Sequence, residues 1–99
     1  MFNKYEAPFK NSPKLKELYM DNLFKAVDLG LELMKKSTDE QLVQAWQEYV
    51  KTVLRVFSEQ SGKHFYTEYL LFLLTIVKKS PYDQVKESIQ KLLEIIKSI

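Results

Sequence analysis

Punctuation is sparse in this chain, and nearly all of it marks helix starts. Two glycines and three prolines occur in 99 residues. Two of the prolines follow a serine, at Ser12-Pro13 and Ser80-Pro81. In that pairing the serine hydroxyl accepts a bond from an orphan amide, while proline occupies the first helical position at no hydrogen-bond cost. A third start reads at Ser37-Thr38-Asp39-Glu40-Gln41, where Ser37 with Glu40 or Thr38 with Gln41 can form a capping box. Gly62 supplies a left-handed stop.

The stretches so delimited predict four helices. The first, about Pro13 to Lys36, carries Leu15, Leu18, Tyr19, Leu23, Ala26, Val27, Leu33 and Met34 at spacings of three and four, with Lys and acidic residues opposite. Gly30 inside it costs about 1 kcal/mol against alanine, which points to close helix packing or a bend. The second, about Asp39 to Gln60, has an apolar face of Leu42, Val43, Trp46, Tyr49, Val50, Val53, Leu54 and Phe57. The fourth, Pro81 to about Ile99, repeats Tyr82, Val85, Ile89, Leu92, Ile96 and Ile99 in strict alternation of three and four, a coiled-coil-like seam suited to a bundle.

The third helix, about His64 to Lys79, is different. From Phe65 through Val77 apolar side chains occupy nearly the whole circumference, and its only charged side chains are Glu68 near the start and Lys78 and Lys79 at the end. A helix of that kind must be covered almost all round. A strand would tolerate the same residues, but the chain offers it no partner strand. Short connections make successive helices antiparallel neighbours. The expected fold is therefore all-α, a four-helix up-down bundle over residues 12–99, preceded by a short aromatic arm, residues 1–11, holding Phe2, Tyr5 and Phe9. Either the third helix is the central core helix, wrapped by the other three and the arm, or its outer side meets a second chain. In the latter case Tyr69, Leu70, Leu71, Phe72 and Leu74 form the interface of a homodimer, or bind another protein.

Composition narrows the function classes. A single domain of this length can bury roughly 65% of its unfolded surface. Fifteen basic and thirteen acidic residues leave a net charge of +2, which exerts no strong pull on nucleic acid or anionic membranes. The longest apolar stretch, Tyr69 to Val77 and interrupted only by Thr75, is far short of the ~20 residues that span a bilayer. No apolar segment near Met1 resembles a signal peptide. Cysteine is absent, which removes disulfide and thiol chemistry and fits a reducing, cytoplasmic setting.

Site chemistry is equally thin. His64 is the only histidine, so a zinc site of the usual His and Cys ligands cannot be assembled. Asp21, Asp28 and Glu32 share a face of the first helix, but Lys25, Lys35 and Lys36 interleave with them, and a salt-bridged wet face is the better reading. There is no glycine-rich phosphate loop and no Gly-x-Ser-x-Gly nucleophile turn. No cofactor and no metal is expected. One cluster remains. In an up-down bundle the ends of the first and third helices lie at the same pole, grouping Lys35, Lys36, Lys78 and Lys79 as a possible anion or nucleic-acid contact. Helix-terminal lysines also simply complement the dipole, and a lone arginine, Arg55, weighs against base or phosphate recognition. The expected function is non-enzymatic protein–protein contact, with nucleic-acid binding as the alternative and a small enzyme the least favoured.

Overall fold

A computed structural model describes residues 13–99, all of it helix and short connection. The expected aromatic arm and the Ser12 cap lie outside the described residues. The helices are α1 (Pro13–Lys36), α2 (Glu40–Ser61), α3 (Phe65–Ile76) and α4 (Pro81–Ser98). Each packs on its sequence neighbours, α1 and α4 close the ring, and α2 reaches α4 across the middle. Antiparallel order shows in the contacts. The last turns of α1 lie beside the first turns of α2. Tyr69 and Glu68 of α3 meet Ser88 and Lys91 of α4, and Lys16 of α1 lies near Ser98, the last residue of α4, and Ile99 after it. Among the described residues the fold is the four-helix up-down bundle expected from the sequence.

The ends are set by local chemistry. Gly62 takes φ 73° and its amide donates to the Ser58 carbonyl at 2.9 Å, ending α2 in the left-handed conformation that favours glycine. Ser80 caps α4, its hydroxyl accepting from the Asp83 amide at 3.2 Å. Neither capping box expected at the start of α2 forms. Asp39 is the cap residue and makes no side-chain cap bond, while the Ser37 hydroxyl accepts from the Asp39 amide at 3.3 Å, closing a tight turn instead. Two caps come from side chains on a neighbouring helix. The Ser58 hydroxyl accepts from the Tyr66 amide at 2.9 Å, satisfying the first turn of α3 from α2. The Gln84 side-chain amide donates to the Val77 and Lys79 carbonyls at 3.2 and 3.0 Å, and its oxygen accepts from Gln47 at 3.1 Å. One glutamine thus binds the end of α3, the start of α4 and the first half of α2 together.

Leu23, Ala26, Val50, Leu54, Phe57 and Leu92 lie among the fully buried core. At its tightest point a Cβ built on Gly30 would sit 2.6 Å from the Trp46 ring and 2.9 Å from Ile89, so α1, α2 and α4 meet there because glycine leaves the space. Of the two readings of Gly30, close packing holds. The Trp46 indole nitrogen donates to the Ala26 carbonyl at 2.9 Å, pinning the ring across that crossing.

Three sequence expectations need correction. The seam of α4 is wider than the alternation of three and four: Val85, Ser88, Ile89, Leu92 and Ile95 are buried, while Tyr82 is exposed. A straight helix drifts about 20° per heptad from such a repeat, and α4 touches all three other helices, so its buried face broadens. Leu18, Leu42 and Tyr49, assigned to apolar core faces, are exposed. Finally, α3 is not wrapped by the other three helices. It packs on α2 and α4, and its backbone does not come close to that of α1.

Candidate functional site

The inward side of α3 is Phe65, Tyr69 and Ile76, spaced by four and seven. Phe65 lies against Phe57 of α2 with ring centroids 6.0 Å apart and planes tilted by 52°. Tyr69 is 0% exposed, and its phenol donates to the Ser88 hydroxyl of α4 at 3.3 Å. Burial pushes the Tyr69 phenol up from 10.0 to about 12, with the Ser88 bond opposing and the Glu48 carboxylate adding to the shift. A burial this complete removes Tyr69 from the expected interface set: its side chain faces the core, because the spacing that puts Phe65 and Ile76 inward carries it along.

The other expected interface residues divide by position. Leu70 and Phe72 are half-buried on the flanks, and the Phe72 ring stacks against Tyr69 at 6.1 Å. Leu71 and Leu74 point outward, 60% and 71% exposed. Val77, which sequence reasoning left off the set, joins them at 65%; its backbone keeps helical angles just past the end of α3. Thr67, Glu68, Thr75 and Lys78 border this stripe and are all exposed. Glu68 approaches Lys91 of α4 at 3.7 Å.

The four lysines expected at one pole sit at the ends of two different helices, Lys35 and Lys36 closing α1 and Lys78 and Lys79 following α3. Lys79 shares a cleft at the α3–α4 junction with Glu40, in the first turn of α2. Two of the four are already engaged: Lys36 pairs with Glu32 at 3.4 Å and Lys79 with Glu87 at 2.9 Å. The Glu87 hydrogen bond raises the Lys79 ammonium above its usual range. Lys35 and Lys78 are exposed. Each group thus has carboxylates beside it, Glu32 at Lys36 and Glu40 and Glu87 near Lys79.

His64 sits at the cap position of α3, exposed and without a side-chain cap bond. Glu32, the last of the acidic trio on α1, holds Lys36 in the salt-bridged arrangement expected of a wet face. Among the described residues no group of three His, Cys, Asp or Glu side chains is placed to hold a metal ion.

Sequence reasoning missed one surface. Between the second half of α1 and the first half of α2 runs an apolar groove of about 400 Å³, lined by Leu29, Leu33, Leu42, Ala45, Trp46 and Tyr49. Leu42 and Tyr49 carry the helical spacing of core positions, and Leu29 lies off the apolar face read for α1, so spacing did not single out the groove. Among the described residues no helix is long and apolar enough to cross a membrane. No family model, curated protein or solved structure matches this chain.

Proposed function

We propose that this protein works by protein–protein contact, as a homodimer joined through the outward stripe of α3, and that it is not an enzyme. The observation behind this reading is that Leu71, Leu74 and Val77 lie together, each more than half exposed, on a helix whose opposite side is built into the core. Covering side chains of this size contributes about 1.5–3 kcal/mol each when they are buried from full exposure, and a contiguous apolar patch on a small domain marks a contact surface. A second copy is the simplest occupant, since most soluble oligomers are closed homo-oligomers with two-fold symmetry. The cysteine-free composition supports a reducing, cytoplasmic setting. Nucleic-acid binding at the lysine pole is the weaker reading, because Lys36 and Lys79 already hold carboxylates.

Size exclusion coupled to light scattering tests the reading with one variant. Leu74 is exposed, so Leu74→Glu leaves the helical content unchanged while placing a charge in the stripe. The expected result is dimer mass for the native chain at high concentration and monomer mass for the variant. A native chain that stays monomeric at the highest attainable concentration ends the proposal.

A further inference from the structure

The outward stripe of α3 has an arrangement of charge that selects how two copies would pair. We infer that α3 pairs with α3 of a second copy in antiparallel orientation, about a two-fold axis near residue 73, with Glu68 of each chain set against Lys78 of the other. This inference rests on the homodimer proposed above and specifies its geometry.

A two-fold axis perpendicular to a helix exchanges positions about one point on it, so residues equally far from that point face each other. The two central leucines, Leu71 and Leu74, have their midpoint at 72.5, and the bordering charges, Glu68 and Lys78, have theirs at 73. Half a residue is about 0.75 Å along a helix axis. One axis therefore serves both pairs: Leu71 of one chain meets Leu74 of the other, and an acid–base pair closes each end, while Val77 falls opposite position 69 and lies at the edge of this seam. Thr67, Leu71, Leu74 and Lys78 also follow the three-and-four spacing that lets two helices pack side by side. Parallel pairing would instead put Glu68 against Glu68 and Lys78 against Lys78, two like-charge contacts.

The charges are disposed for this role. Lys78 is exposed and makes no ion pair among the described residues. Glu68 keeps half of its side chain exposed even with Lys91 at 3.7 Å. Lys79, one residue further on, is turned to Glu87 and is not available to the stripe. With a contact helix of 12 residues, about 18 Å long, the dimer is a weak one, and two reciprocal ion pairs are a sizeable part of what orients it.

A charge-reversal cycle on the full chain tests the inference, with dimer dissociation constants from sedimentation equilibrium at low salt. Glu68→Lys and Lys78→Glu each convert two attractive contacts into two repulsive ones, and each is expected to weaken the dimer about tenfold. The double variant E68K/K78E restores opposite charges at both ends and is expected to return within about twofold of the native value. Glu68→Lys also disturbs the Lys91 contact inside the protomer, so Lys78→Glu is the cleaner single variant, and circular dichroism checks that each remains helical. Single variants that dimerise like the native chain, or a double variant weaker than either single, overturn the antiparallel pairing while leaving the homodimer in place. A native chain that is monomeric throughout overturns both.

Discussion

Replacing Gly30 by alanine should destabilise the protein, although alanine is the better helix former by about 1 kcal/mol. The reason is local. The new methyl would lie 2.6 Å from the Trp46 ring and 2.9 Å from Ile89, where ordinary contact begins near 3.4 Å. The ring must retreat by about 0.8 Å or more, and it is poorly placed to do so. Its nitrogen donates to the Ala26 carbonyl at 2.9 Å, one helical turn before Gly30 on α1. Moving the ring away from position 30 draws that bond apart. Overpacking of this kind costs about 1–3 kcal/mol, and a lost buried hydrogen bond about 1 kcal/mol more. Set against the gain in propensity, the net loss is about 1–3 kcal/mol, with a fall in Tm of about 4–8 °C for each kcal/mol in a domain of this size. Urea titration followed by circular dichroism measures the loss, and emission from Trp46, the only tryptophan, reports whether the ring has moved. A Gly30→Ala variant as stable as the native chain or more so, with unchanged emission, would refute the packing account of this glycine.

Two further predictions concern the buried face of α3 and the cap of α4. Tyr69 keeps its proton to about pH 12 in the folded chain but loses it near 10 when unfolded. The unfolded chain therefore binds fewer protons between those values, and stability from this group, complete below pH 10, declines as pH rises toward 12. Tyr69→Phe should cost about 1 kcal/mol at pH 9 through the lost Ser88 bond. By pH 11 that deficit should vanish or reverse, since the native tyrosine has by then given up about 1.4 kcal/mol; paired urea titrations at the two pH values check it, and a deficit that stays constant would contradict the burial argument. Ser80→Ala removes the cap of α4 and should lower stability by about 1 kcal/mol, measured the same way, whereas Ser37→Ala, whose hydroxyl only closes a turn, should cost markedly less.

Much of the fold was legible because its boundaries are written in single residues. Ser80-Pro81 and Gly62 act through their own backbone and side-chain chemistry, and both ends fall where the sequence put them. What was hidden required a partner from elsewhere in the chain. Ser58 and Gln84 are unremarkable polar residues on their own helices, and only the antiparallel arrangement brings one to the start of α3 and the other to its end. The stripe itself was half legible. A helix apolar on every side announces that one side needs a further cover, but not which side. That choice was made by Phe65, Tyr69 and Ile76, whose common face met α2 and α4, so Tyr69 turned inward and Val77 outward. Exposure of Leu42 and Tyr49 was illegible for a related reason: a stripe read from spacing has no stated width, and the width is fixed by how many neighbours the helix touches.

The claim on which the rest depends is that the bare side of α3 is covered by its counterpart in a second copy. Isotope-filtered nuclear Overhauser spectroscopy on an equimolar mixture of labelled and unlabelled chains observes that contact directly, because only signals between protomers survive the filter. The expected result is cross-peaks linking Leu71 methyls of one chain to Leu74 methyls of the other. Cross-peaks from Leu29 and Leu42 in their place, or no signal between protomers at millimolar concentration, would contradict it.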